Sequence, residues 1–165
     1  MELRTKPRIG IIGPGSCPPD VYALAREVGY HVATKGAVLI CGGRGGVMEA
    51  AAKGAKQGGG ITVGILPGDS AADANLYVDI PVVTGMGNAR NAINVLTSQV
   101  IIAIHGSYGT LSEIALALKC NIPVVGLSTW ALNAPGGAPG GAGLPITLAR
   151  TAEEAVDAAL ALITS

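Results

Sequence analysis

The chain has 165 residues and a formal net charge of zero, and only 13% of its residues are charged whereas 49% are apolar. A length of this order predicts one domain over residues 1–165, and the absence of net positive charge or of a Lys/Arg run argues against nucleic-acid binding. Because an average soluble domain has about 25% charged residues, we expect apolar surface that a homo-oligomer (a dimer or tetramer) would cover.

The first half of the chain alternates short apolar runs with glycine turns and helical patterns. The pattern predicts strands at 8–12, 37–41 and 61–66, and a fourth at 78–84. Pro81 inside the fourth strand marks an edge strand or a strand start, because proline cannot donate to a sheet ladder. Helices are predicted from Asp20, as N-cap, to about Gly36 and over 47–56.

The second half repeats the alternation. A helix carrying Arg90 and Asn94 precedes a strand at 100–104, followed by a glycine turn and another helix, and by a strand at 122–127. The Gly/Pro-rich stretch 134–145 is interpreted as a mobile loop or lid, a seventh strand is predicted at 145–149, and a capping box at Thr151 opens the last helix. The fold class is therefore α/β, a Rossmann-like, doubly wound parallel sheet of about seven strands with helices on both faces.

Three glycine turns follow predicted strands, at 13–16, 42–46 and 105–110, where parallel sheets bind ligands. In the second turn four glycines surround Arg44; we interpret them as a close backbone approach to a ligand or a sharp bend, with no packing purpose. The first turn lacks the G-x-G-x-x-G spacing of an ordinary NAD site, and the chain has no P-loop motif.

The third turn predicts an anion site. Gly106 and Gly109 would let backbone N–H groups approach a ligand, and Thr110 lies where the next helix is expected to begin, at the positive end of its dipole. Glu113 follows Thr110 by three residues, so it either completes a capping box or takes part in chemistry. The local pattern leaves both alternatives open.

The remaining features concern compartment and metal. No apolar run approaches the ~20 residues of a spanning helix, and the charged amino terminus does not read as a signal peptide. Three cysteines without metal-ligand spacing fit a reducing cytosol, and we expect a cytoplasmic protein with no metal site. Cys17 lies in a loop of the proposed cleft, where it either packs or contacts a metal.

Three motifs occur in a characteristic order: Gly42-Gly43-x-Gly45-Gly46-Val47-Met48-x-x-x-Ala52, Gly87-x-x-Arg90-Asn91, and Gly106-Ser107-Tyr108-Gly109-Thr110-Leu111-Ser112-Glu113. Together they resemble the LOG-like Rossmann (lysine-decarboxylase-like) family. Its enzymes are phosphoribohydrolases that split nucleoside 5'-monophosphates into base and ribose 5-phosphate. The resemblance implies that Gly106, Gly109 and Thr110 hold a phosphate, and that Arg90 and Glu113 occupy the positions of the catalytic pair.

The chain departs from the hydrolase pattern at two of these positions. Ser107 replaces a glycine of the family's P-G-G-x-G-T loop, and Asn91 replaces the lysine that follows the helix arginine. The serine adds a side chain at a close approach, and the lost lysine weakens the field on a phosphate. In its short length, its glycine-rich start and its H-G-S-x-G-T loop, the chain resembles the molybdenum cofactor carrier branch of the fold.

That branch implies molybdenum cofactor as bound cargo, an anionic pyranopterin with a phosphate, protected and then transferred to a molybdoenzyme. The expected partners are this small-molecule ligand and the receiving enzyme, with no nucleic acid and no membrane. No catalytic residue is expected in a carrier; Arg90 and Glu113 are the catalytic candidates in a hydrolase. The candidate cofactor-binding residues are Gly13, Gly15, Ser16, Gly42, Gly43, Arg44, Gly45, Gly46, Arg90, Gly106, Ser107, Tyr108, Gly109, Thr110 and Glu113.

Two further interpretations stay beside the carrier and the hydrolase. An oligomeric nucleotide sensor without turnover predicts the same residues. A pyridoxal phosphate decarboxylase is disfavoured, because no lysine lies at a glycine turn after a strand. Trp130 and the 134–145 loop are hypothesised to cover the pocket, and Tyr108 either covers the ligand or fills the loop.

Overall fold

The computed structural model describes residues 2–132 and 146–164 and shows one seven-stranded, all-parallel sheet with helices on both faces. The predicted Rossmann-like α/β fold is confirmed. The strands are β1 (Arg8–Ile12), β2 (Val38–Cys41), β3 (Thr62–Leu66), β4 (Ile80–Val83), β5 (Val100–Ile104), β6 (Val124–Leu127) and β7 (Ile146–Ala149). The helices are α1 (Pro19–Thr34), α2 (Val47–Gln57), α3 (Arg90–Thr97), α4 (Tyr108–Lys119) and α5 (Ala152–Thr164).

The spatial strand order is β4-β3-β2-β1-β5-β6-β7. From β1 the chain winds outward through β2 and β3 to β4, and then returns to place β5 on the other side of β1. The two central strands pair in parallel with Ile9 opposite Val100 and Ile12 opposite Ala103. This reversal of direction is a topological switch point, at which open α/β sheets form their ligand crevice.

The continuous apolar runs form strands because both faces of the sheet are covered. Ile11, Leu39 and Ile102 face a layer made by α1, α2 and α5. Ile101 and Ala103, the neighbours of Ile102 in β5, face the opposite layer of α3 and α4. Successive side chains of one strand therefore enter different halves of the core, and each half excludes water from one side of the sheet.

Several local predictions are confirmed or corrected. β4 is the edge strand that Pro81 predicted. Asp20 is not the N-cap of α1, because the helix begins at Pro19, whose ring suits the first helical position. The Thr151 cap of α5 is confirmed, since its Oγ1 accepts the N–H of Glu154 at 3.2 Å; the carboxylate of Glu154, however, accepts the N–H of Arg150.

Two predictions concern segments at the limits of the described residues. The stretch 134–145, predicted to be a loop or lid, lies outside them, as does Pro145 at the start of the predicted seventh strand.

None of the helices within 2–132 and 146–164 is long and apolar enough to cross a membrane.

Helices α1 and α2 approach each other closely through glycines. A Cβ built on Gly54 of α2 would lie 1.8 Å from the backbone oxygen of Arg26 in α1. A Cβ on Gly29 of α1 would lie 1.9 Å from the backbone oxygen of Ala51 in α2. Because backbone atoms cannot yield as a flexible side chain can, this contact requires glycine on both helices and sets the distance between them.

Gly54→Ala should therefore destabilise the fold although alanine is the better helix former. We expect the free energy of unfolding to fall by about 1–3 kcal/mol, the usual cost of overpacking, measured by urea denaturation. Gly109→Ala is the matched control, because a Cβ there meets only Ser107 Oγ at 3.8 Å. Equal stability of the two variants would show that α1 and α2 separate at little cost.

Candidate functional site

The first two glycine turns lie against each other at the carboxyl edge of the sheet. The N–H of Val47, which begins α2, donates to the backbone oxygen of Pro14 at 3.0 Å. A Cβ on Gly46 would lie 2.3 Å from that oxygen, and one on Gly45 would lie 3.1 Å from the backbone oxygen of Gly15. The turns after β1 and β2 thus form one continuous backbone surface, with Gly15 and Ser16 exposed on it.

The expectation that the glycines of 42–46 have no packing purpose is wrong. A Cβ on Gly42 would lie 2.7 Å from Nη2 of Arg90, and one on Gly43 would lie 2.6 Å from Cδ2 of Leu66. Gly43 and Gly46 also have φ values of +73° and +61°, which side chains with a Cβ rarely adopt. The glycines make room for the protein itself, and Gly42 in particular makes room for the guanidinium of Arg90.

The third turn starts α4 earlier than predicted. The helix begins at Tyr108, and its N-cap position is Ser107, which makes no side-chain capping bond. The predicted capping box of Thr110 and Glu113 is therefore wrong, because Glu113 lies well inside the helix and accepts its hydrogen bond from Asn94. Thr110 is buried, and its hydroxyl lies 3.4 Å from that of Ser107.

Trp130 packs on the third turn. Its Nε1–H donates to the backbone oxygen of Ser107 at 3.3 Å, and a Cβ on Gly106 would lie 2.4 Å from that nitrogen. The indole also stacks on Tyr108, with ring centroids 6.2 Å apart. Gly106 is therefore required by the indole, and the two aromatic rings together form one wall beside the start of α4.

The first turn of α4 can receive an anion. No side chain caps it, and Gly109 is open, with Ser107 Oγ as the nearest atom to a built Cβ. The free backbone N–H groups and the helix dipole both favour negative charge at this point. A groove of about 710 Å³ adjoins this turn, lined by Asn88, Ala89, Asn91, Ala92, Tyr108, Gly109, Ser112 and Leu116.

Arg90 begins α3 and lies largely buried behind this edge. Its Nη2 donates to the backbone oxygen of Gly42 at 3.5 Å and its Nη1 to Oδ1 of Asn91, whereas its Nε is buried without a partner. Burial lowers the pKa of Arg90, an effect that the nearby Glu113 opposes. Arg90 is thus a desolvated cation whose hydrogen-bond partners are neutral.

Glu113 is the anionic group that faces the same cluster. It is 7% exposed, and its Oε1 accepts from Nδ2 of Asn94 at 3.0 Å. Burial raises the pKa of Glu113, while Asn94 and then Arg90 lower it. The ion pairs of the described residues do not include one between Arg90 and Glu113, so the two charges share a cluster without direct contact.

Asn94 is the residue of this cluster that the sequence analysis did not include among the site residues. The available signal was an amide on an apolar helix, one turn after Arg90 and thus on the same face. Its partner Glu113 lies on another helix, 19 residues away. That contact was outside the reach of any local pattern.

Two other candidates lie farther from the cluster. Arg44 is exposed, and its Nη1 lies 3.9 Å from Oδ2 of Asp73. Cys17 is half-buried and packs against the α1–α2 side of the core, and burial followed by the charge of Asp20 raises the pKa of its thiol. Among the residues that the structure describes, no group of three or more His, Cys, Asp or Glu side chains is placed to hold a metal ion.

Comparison with known proteins identifies the family. The model of the SLOG cluster4 family matches residues 6–156. The chain belongs to this family. An uncharacterized protein of Archaeoglobus fulgidus is 53% identical over 112 residues, which are 68% of this chain and 74% of that protein. The predicted resemblance to LOG-like Rossmann proteins, near the molybdenum cofactor carrier branch, is confirmed.

Two solved structures of similar fold extend over nearly the whole chain. The molybdenum cofactor binding protein of the phototrophic bacterium Rippkaea orientalis is 38% identical, with a TM-score of 0.84 over 96% of this chain and 98% of its own. The molybdenum cofactor carrier protein of Chlamydomonas reinhardtii is 40% identical, with a TM-score of 0.83 over 97% of this chain and 100% of its own. The similarity in fold to these two structures therefore extends over nearly the whole chain, whereas the family model ends at residue 156.

The buried carboxyl of Glu113 predicts a stability gain on neutralisation. Its pKa in the folded protein is raised above the ordinary 4.5. The folded state therefore binds the proton more tightly than the unfolded chain does. As the pH rises above about 4.5, the carboxyl loses this proton and the free energy of unfolding falls. Glu113→Gln, which can keep the bond from Asn94, should be more stable than the parent at pH 7 and lose this advantage near pH 4.

Urea denaturation at the two pH values measures the difference. Glu2→Gln, at an exposed position ahead of β1, is the matched control for the loss of one carboxylate. An advantage of Glu113→Gln that is larger at pH 4 than at pH 7 would contradict the direction of the shift.

Proposed function

We propose that this protein binds molybdenum cofactor as cargo, protects it and delivers it to a molybdoenzyme. The observation that carries the proposal is the half-buried Arg90, which has neutral partners and an unpartnered buried Nε, at the same edge of the sheet as the uncapped start of α4. A cation of this kind favours an anionic ligand, because an oxyanion replaces the solvation that the guanidinium lost on burial. The likeness to two proteins described as binding or carrying the cofactor supports this choice of anion.

The donors at this edge suit the phosphate of a pyranopterin. Backbone N–H groups of the first turn of α4 would hold the phosphate, with Gly109 providing the close approach. Arg90 and Arg44 would supply charge-assisted bonds to oxyanions. The remaining candidates would contact the ligand through their backbone atoms. They are Gly13, Gly15, Ser16, Gly42, Gly43, Gly45, Gly46, Gly106, Ser107, Tyr108 and Thr110.

A carrier needs to exclude solvent but has no need of an acid or base. The stacked pair of Tyr108 and Trp130 would cover the ligand from the side of α4, where Tyr108 is 84% exposed.

We also propose that the chain forms one domain, is cytoplasmic and associates as a dimer or tetramer. Exposed apolar side chains at Leu76, Met86 and Leu96 support the association.

One observation favours a second candidate, the phosphoribohydrolase. Glu113 and Arg90 lie in one cluster at the carboxyl edge, and burial raises the pKa of Glu113, which is the direction that an acid–base catalyst requires of a carboxyl. In that reaction Glu113 would activate water or stabilise the oxocarbenium-like centre. The bond to Asn94 and the departures at Ser107 and Asn91 favour the carrier.

The two functions are separated by mixing the purified protein with cofactor released from a molybdoenzyme and, separately, with AMP. A carrier retains the cofactor through gel filtration, prolongs its survival in air and releases no ribose 5-phosphate. Release of ribose 5-phosphate without cofactor retention would establish the hydrolase. Glu113→Gln then abolishes most turnover in a hydrolase but leaves retention in a carrier.

Arg90→Ala should weaken retention of the cofactor. The loss of a charge-assisted hydrogen bond predicts about 1.5–3 kcal/mol, which is on the order of a tenfold to hundredfold rise in the dissociation constant. Arg26→Ala, an exposed arginine of α1, is the matched control. Equal affinity of both variants would show that Arg90 does not contact the anion.

A further inference from the structure

Asn94 lies one turn after Arg90, on the inner face of α3. It is 1% exposed; its Nδ2 donates to Oε1 of Glu113 at 3.0 Å, and its Oδ1 is buried without a partner. A buried amide with one unsatisfied oxygen costs stability. Packing alone does not explain an asparagine here, because an apolar side chain would fill the position without that cost.

The same cluster holds two charges of opposite sign that do not form an ion pair: the half-buried guanidinium of Arg90 and the buried carboxyl of Glu113. Arg90 donates to Gly42 and Asn91, both neutral, and its Nε has no partner. Glu113 is anchored by Asn94 instead. Both groups have already lost part of their hydration, so direct contact between the carboxylate and the guanidinium would be favourable. The bond from Asn94 keeps the carboxylate on a neutral partner instead.

We propose that Asn94 is a positioning residue that holds Glu113 away from Arg90 and so leaves the charge of Arg90 available to an anionic ligand. The inference rests on the proposed function in taking Arg90 as the anion contact. In this arrangement the amide of Asn94 donates a hydrogen bond to Oε1 of Glu113 but, being uncharged, leaves the charge of Arg90 unpaired. Without it, the Glu113 carboxylate would turn to the nearby Arg90, whose Nε–H has no partner.

Asn94→Leu should let Glu113 pair directly with Arg90, so that an anion must compete with a carboxylate already in place. We expect the affinity for molybdenum cofactor to fall by about tenfold or more, the scale of one charge-assisted hydrogen bond. Adding Glu113→Gln to this variant removes the competing charge and should restore most of the affinity. A simple loss of packing at position 94 would not be rescued in this way.

A ligand-free measurement keeps this inference separate from the identity of the cargo. In ¹⁵N-labelled protein, the Nε–H signal of Arg90 should move downfield in Asn94→Leu, as expected for a donor that gains a carboxylate partner. It should return in Asn94→Leu/Glu113→Gln. If no variant or parent retains the cofactor but these shifts occur, the proposed function fails and the positioning role stands.

Ser98→Ala is the matched control on the same helix. The hydroxyl of Ser98 donates to the backbone oxygen of Asn94 at 2.9 Å, so this variant loosens α3 without removing the amide. It should leave the Arg90 signal in place. Asn94→Ala replaces Asn94→Leu if the leucine does not fit, with the same expected shifts. An unmoved Arg90 signal in a folded Asn94 variant, or a loss of affinity that Glu113→Gln does not rescue, would overturn the proposal.

Discussion

The pairing of β1 with β5 is the interaction on which the rest of the structure depends. The paired residues of these neighbours are 91 positions apart in sequence, with Ile9 opposite Val100. The chain winds away from β1 in one direction and from β5 in the other, so the loops that follow the two strands diverge. The crevice at the carboxyl edge exists because of this divergence, and the candidate site lies around it.

Several glycines at this edge of the sheet are required for packing, because neighbouring side chains occupy the space that a Cβ would need. Gly42 gives up its side-chain space to the guanidinium of Arg90, and Gly106 gives up its space to the indole of Trp130. The absence of a side chain at these two glycines therefore allows Arg90 and Trp130 to lie at the crevice. Gly109 differs, since the space beside it is open. It is the glycine of the third turn that remains for a ligand.

The electrostatics of the site follow from burial. Burial lowers the pKa of Arg90 and raises the pKa of Glu113, so each charge is costly in the unliganded protein. Direct pairing would relieve both costs, yet the carboxylate is bonded to Asn94. This unpaired cation, at the same edge as the free backbone N–H groups of α4, is the basis of the proposal that the site holds an oxyanion. The same arrangement offers little to acid–base chemistry at Arg90.

The secondary-structure elements and their order follow from the sequence alone. Continuous apolar runs ending in glycine turns marked β1 and β5 to the residue, and Pro81 marked the edge strand, because burial on both faces and the missing proline N–H are local constraints. The sequence predicted the helix starts less accurately. Asp20 and Thr110 are residue types that cap helices, but α1 begins at Pro19 and α4 begins at Tyr108. Only the tertiary structure brought Asn94 of α3 against Glu113 of α4, because contacts between helices depend on packing distances that no local pattern contains.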